Sequence, residues 1–261
     1  VESRPSRGPW LWPLALAVVG VLLLLDNFLL LGDFNLTLLW PLILVALGAQ
    51  VLLQGDFLPM RQGKTFGITR GSVEAAALEI SAGEIDVNVR SLRREGRLIA
   101  GQFAADSRPA MQVQDTQAFI KMDRAATPWL SFADWEMGLA RDLPWQIFVS
   151  THLGQVQLDL SETIIQDVVV GTGFGDIRLT APYECLGSIR LHSTLGTAQV
   201  ITPPGYRARI TAQENAFFGV HADPNRYVQI EPDVYSANDA DEDAPLVDIH
   251  VSGTFGDAYL A

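Results

Sequence analysis

The sequence predicts a mainly β chain, with a carboxy-terminal β-solenoid-like repeat domain preceded by an α-helical transmembrane hairpin. Three observations carry that expectation. Two long apolar runs fill the first 58 residues, and alternating apolar pairs around a glycine recur every 21 residues further on. Charge is also uneven. Residues 1–64 balance four basic side chains against four acidic ones, so the distal part holds the whole net charge of −12. An apolar share of 48% against 18% charged excludes a disordered chain of 261 residues. The acidic surface argues against nucleic acid as a partner. A single cysteine, Cys185, cannot form an internal disulfide framework.

Residues 1–58 read as the hairpin, with spans at about 10–31 and 36–53 that bring the lipid bilayer in as a partner. The first run is Pro9–Leu25, continued by Phe28–Leu31 after Asp26 and Asn27; the second, Leu36–Leu53, has no charge. About 20 apolar residues are needed to cross roughly 30 Å of hydrocarbon. The eleven Leu, Ile and Val residues of the second run together favour insertion by roughly 3–7 kcal/mol. A cleaved signal peptide would need a small-residue site after a shorter apolar region, and a buried soluble hairpin would show a polar face at helical spacing. Arg4 and Arg7 precede the hairpin, Arg61, Lys64 and Arg70 follow it, and Asp26–Asn35 has no basic residue. The positive-inside rule therefore puts both termini in the cytoplasm. Trp10, Trp12 and Trp40 lie near the span ends as membrane-interface anchors. A juxtamembrane linker covers 59–72 and the repeated β domain 73–261. The chain starts at Val1, so its natural amino terminus is expected upstream.

The repeat is h-x-h-x4-G-x-h-x-h, where h is apolar. Three consecutive copies are Ile147, Val149, Gly154, Val156, Leu158; then Val168, Val170, Gly175, Ile177, Leu179; then Ile189, Leu191, Gly196, Ala198, Val200. Outlying copies read Ala76, Leu78, Gly83, Ile85, Val87 and Ile249, Val251, Gly256, Ala258, Leu260. A shortened one reads Ile210, Ala212, Phe218, Val220, with Ala216 in place of the glycine. Alternation gives each strand one apolar face, as in Ile85, Val87 and Val89 against Glu84, Asp86, Asn88 and Arg90. Gly83, Gly154, Gly175, Gly196 and Gly256 are read as the repeat turns. One unit cannot bury its apolar face alone, whereas stacked units share a core. Register separates the two architectures. A solenoid sets Ile177 beside Val156 and Ala198, whereas a sandwich of antiparallel hairpins pairs Val170 with Ile177.

Two segments break the pattern. Pro128–Pro144, with Trp129, Phe132, Trp135 and Met137, is expected to be a flap covering an open end of the stack; Glu231–Pro245 is expected to be an acidic loop. Candidate chemistry is sparse. Asp239, Asp241 and Asp243 alternate like a calcium loop, but Ala244 and His250 stand where Gly and Glu are required. Gly171–Gly175 resembles a phosphate loop, yet a strand rather than a helix follows it. His152, His192, His221 and His250 occupy unrelated repeat positions, and Cys185 has no sequence partner. The expectation is a non-enzyme with no catalytic residue, cofactor or metal.

Leu39–Gly48 (LWPLILVALG) resembles the second span of LiaF-like bacterial membrane proteins. Leu153–Glu162 (LGQVQLDLSE) and Val168–Ile177 (VVVGTGFGDI) are similar to their carboxy-terminal toastrack domain. The resemblance implies a multi-pass protein of the bacterial cytoplasmic (inner) membrane that responds to envelope stress and cell-wall-active antibiotics. It further implies an accessory regulator or adaptor in two-component signalling, in contact with a membrane histidine kinase or similar protein. The alternative is a structural, self-assembling β-repeat protein, adhesin-like or scaffold, forming a homo-oligomer. On that view Gly256–Ala261 would offer an unpaired strand edge to another copy.

Overall fold

The computed structural model describes residues 64–93, 96–103, 108–124 and 134–261. The expected spans 10–31 and 36–53, with Trp10, Trp12 and Trp40, lie outside the described residues, as do Trp129 and Phe132. Among the described residues no helix is long and apolar enough to cross a membrane. The chain divides into two units, Val1–Met60 and Arg61–Ala261, and every described strand belongs to the second.

Its strands fall into two arms joined at a bend. The first part of the chain holds β1 (Lys64–Thr69), β2 (Ala75–Gly83), β3 (Val87–Ser91), β4 (Arg97–Phe103), β5 (Ala110–Gln114), β6 (Gln117–Asp123) and β7 (Trp135–Leu139). The middle part holds β8 (Pro144–Leu153), β9 (Val156–Asp159), β10 (Ile164–Phe174), β11 (Ile177–Thr180) and β12 (Glu184–Cys185). The last part holds β13 (Ser188–Ile201), β14 (Arg207–Ala212), β15 (Phe218–Ala222), β16 (Tyr227–Glu231), β17 (Val234–Ala237) and β18 (Leu246–Leu260). β13 and β18 run unbroken through the bend, so each supplies both arms of a rung.

Neighbouring rungs pair in parallel. Val168 lies beside Ile147 on one side and Ile189 on the other, and Ile177 lies beside Val156 and Ala198. This is the solenoid register, and it makes the inward residues form columns. Leu78, Ile147, Val168, Ile189, Ile249 and Ile210 share one level of the core. Each of these is buried. Burying such a side chain contributes about 1.5–3 kcal/mol, which no single rung could gain alone.

The spatial order of rungs departs from chain order at both ends. The rung β6/β7 lies outside β2/β3, which then meets β8/β9. At the other end β18 slots between β13 and the rung β14/β15. Antiparallel strands extend the ends: β5 on β6, β4 and β1 beyond β7, and β17 and β16 beyond β14.

Several expectations need correction. The carboxy-terminal strand is not an edge, because Gly256–Leu260 is paired with Gly196–Val200 on one side and Phe218–Ala222 on the other. Among the described residues the strands paired on one side at that end are β15 and β16. The described part of Pro128–Pro144 is not a flap. Trp135 and Met137 extend the core columns beside Val87 and Val89, and both are fully buried. Trp145, also fully buried, sits level with Ala76 and Ile165, and its indole N–H donates to the Ala140 carbonyl at 2.9 Å. The eleven residues between β6 and β7 hide the rung of Trp135 and Met137 from the 21-residue period.

The first copy is displaced by two residues. Leu78, not Ala76, is level with Ile147, and Val87, not Ile85, with Val156. Both arms carry the same displacement, and the one-residue bulge between Ser81 and Gly83 is undone before Val87. The shortened copy shifts likewise in its second arm, where Phe218 takes the level of Gly256. Within the expected acidic loop, Val234–Ala237 forms β17, and Lys64–Thr69, inside the segment read as a linker, forms β1.

Candidate interaction surface

The bend is built from glycine. Gly154, Gly175, Gly196 and Gly256 stack in one column with φ of +148°, +145°, +148° and +125°. At Gly175 two constraints coincide. A Cβ would run into the Gly154 carbonyl of the rung below, and the φ value is one that L side chains rarely adopt. The amide N–H of Gly154 donates to the Phe174 carbonyl at 3.0 Å, and that of Gly175 to the Leu195 carbonyl at 3.0 Å, locking rung to rung. Gly83 differs: its φ is +62° and its neighbour is the Arg124 side chain rather than backbone.

Immediately before each glycine of this column stands an exposed apolar side chain. Leu153, Phe174, Leu195 and Phe255 pair in register from rung to rung. Phe217 continues them: its carbonyl accepts the Gly256 N–H at 2.9 Å, and its ring centre lies 5.2 Å from that of Phe255. Their exposures are 57%, 57%, 46%, 45% and 66% in that order. With roughly 200 Å² for a large apolar side chain, the ladder presents on the order of 500 Å², at the upper end for a monomer surface. Rungs about 4.8 Å apart give it a length of roughly 19 Å. Alternation points to inward positions only and so passes over these residues. The signal for the ladder is nonetheless in the sequence, one residue before each of these glycines.

The flanks of the ladder differ in charge. On the first-arm side run His152, Gly173, Thr194 and Thr254, with no formal charge. Across the glycine column run Asp86, Gln155, Asp176, Thr197 and Asp257. Here Asp86 accepts the Gln155 N–H at 2.7 Å and Asp176 the Thr197 N–H at 2.8 Å, so carboxylates cap exposed backbone donors along the bend. Inside the bend Thr172 donates to the Gly175 carbonyl at 3.3 Å.

The other residues singled out by sequence are dispersed. His192 Nδ1 meets Ser252 Oγ at 3.0 Å. His221 stacks on Tyr259 with ring centres 5.0 Å apart and its Nε2 lies 3.1 Å from Asp257. His152 and His250 lie on other columns, both exposed. Asp241 accepts the Asp243 N–H at 3.1 Å within its own loop. Among the described residues no three His, Cys, Asp or Glu gather where they could hold a metal ion. Gly171 and Gly173 lie inside β10, a strand that leads through Gly175 into β11. Burial pushes the Cys185 thiol above its ordinary value. The shallow hollow over Gln155, Gln157, Asp176, Arg178, Thr197 and Gln199 is the outer face of the second arm.

Among solved structures the fold is similar to a candidate cell adhesion protein from Clostridium sporogenes ATCC 15579, with a TM-score of 0.63 and 16% identity over 76% of this chain and 98% of that one. A candidate adhesin from Bacteroides fragilis NCTC 9343 covers 78% of this chain and 99% of its own at 11% identity, with a TM-score of 0.32. No curated protein matches this chain. Residues 60–200 match the family described as the N-terminal domain of toast_rack, DUF2154. That match spans more than half of the sequence and holds the three consecutive repeat copies, so the chain belongs to the toast_rack N-terminal domain family.

Proposed function

We propose that this chain is a non-enzymatic bacterial membrane protein that works by protein–protein contact, as an accessory regulator in envelope-stress signalling. In this reading residues 1–58 anchor the rack in the inner membrane with both termini cytoplasmic, and the partner is a membrane histidine kinase or a similar protein. The observation that carries the contact role is the exposed ladder Leu153–Phe174–Leu195–Phe255–Phe217. A contiguous apolar strip held at fixed spacing on a rigid stack resembles the desolvated core of an interface more than a solvated surface. The LiaF-like residues of the second span and of the repeat supply the signalling context.

The test is photo-crosslinking in native membranes, with a photoreactive phenylalanine analogue at Phe174 and Phe255 and a control at Gln157. Crosslinks from the ladder alone are expected. Equal labelling from the control, or none from the ladder, would refute the contact role. A carboxy-terminal tag removed by protease on intact spheroplasts would refute the proposed orientation.

A second reading is an adhesin-like or scaffold protein that assembles through strand edges. It is favoured by β16, paired only with β17 among the described residues and carrying exposed Val228 and Ile230. The Clostridium sporogenes likeness is one of fold and adds no evidence for adhesion. Self-association that survives loss of the ladder but not charge substitutions at Val228 and Ile230 would support this reading.

A further inference from the structure

We infer that the occupant of the ladder is a second copy of this chain, related by a two-fold axis running parallel to the stack. The inference rests on the reading of the ladder as a protein-contact surface and assigns that surface to self-contact, which leaves the kinase or similar partner to another face of the dimer. Area is the first argument. Two ladders of on the order of 500 Å² would bury together about 1,000 Å², the lower bound of a specific interface, and the Thr and Asp flanks add a polar rim.

Charge chooses the geometry. A two-fold across the stack would turn each flank onto itself and set Asp176 of one copy against Asp257 of the other, a like-charge contact. A two-fold along the stack carries the acidic flank of one copy onto the uncharged flank of its partner. At its own rung the Asp257 carboxylate then faces the Thr254 hydroxyl, which can donate to it, and Asp176 faces the uncharged Gly173. In this arrangement each ladder residue meets its own counterpart, Phe174 with Phe174 and Leu195 with Leu195. The contact is isologous and closed, so it gives a dimer rather than a fibre. Both β1 strands also lie at the same end of the dimer, as two chains held in one bilayer would require.

The test uses the full 261-residue chain in detergent micelles, with Cys185→Ser as background and single cysteines introduced as Phe174→Cys, Leu195→Cys, Phe255→Cys and, as control, Gln157→Cys. Mild oxidation with copper–phenanthroline is expected to link all three ladder variants into dimers and leave the control monomeric. Linking of Leu195→Cys alone would mean the antiparallel two-fold and overturn the inference. Sedimentation equilibrium of the chain with Leu195→Asp should show dimerisation weakened by about tenfold or more, as for loss of a central anchor. A wild-type chain that stays monomeric, while the photoreactive ladder residues still label a different membrane protein, would overturn the dimer and leave the contact reading standing. Absence of any ladder contact would end both.

Discussion

Replacing Gly175 with Ala tests the bend most directly. The added methyl must sit at a φ of +145°, a cost of about 1–3 kcal/mol for a non-glycine residue. It also runs into the Gly154 carbonyl, which is backbone and cannot swing aside. Relief requires the rungs to part, weakening the bonds from Gly154 N–H to Phe174 and from Gly175 N–H to Leu195, each worth about 0.5–1.5 kcal/mol. Together the loss is about 2–6 kcal/mol. Four residues earlier, Gly171 has open space around its Cβ position and no positive φ, so Gly171→Ala should be neutral or stabilise by up to about 1 kcal/mol. Urea unfolding of the full chain, followed by far-ultraviolet circular dichroism with pulse proteolysis, reads both. A slope of about 2 kcal/mol per molar converts the Gly175→Ala cost to a midpoint lower by about 1–3 M. Gly175→Ala unfolding within about 0.3 M of wild type, or Gly171→Ala as damaging as Gly175→Ala, would refute the account of the column.

Three further outcomes are expected. Deleting Thr254–Ala261 should collapse protease resistance across the rack, because it removes the second arm of the rung between β13 and β15; loss of self-association from an otherwise folded rack would contradict this. Trp145→Phe leaves the Ala140 carbonyl without its indole donor, and should cost about 1–2 kcal/mol in urea unfolding. The Cys185 thiol, raised above its ordinary 9.0 chiefly by burial, should alkylate with iodoacetamide more slowly than a free cysteine at pH 8. A raised folded value favours the neutral thiol in the native state, so its contribution is complete below pH 9 and disappears as pH climbs through the folded value; a rate–pH profile matching free cysteine would refute the raised value.

Sequence alone determined the strands of the central rungs, their inward residues and the glycine bend. Each depends on local alternation and on one residue type that tolerates the turn, as in Val168, Val170, Gly175 and Ile177. The register of Ile177 beside Val156 and Ala198 was one of two that the repeat allowed, and the parallel pairing of rungs chose it over the antiparallel hairpin of Val170 with Ile177. The tertiary structure decided which rungs are neighbours at the ends. Trp135 and Met137 join the core across a long connection, and β18 enters between β13 and β14 rather than closing the stack. Such choices turn on the fit of distant surfaces, to which chain proximity gives no clue. The ladder shows both contributions at once: Leu153, Phe174 and Leu195 are spaced by the repeat, but Phe255 and Phe217 extend it only because the last two rungs exchange places.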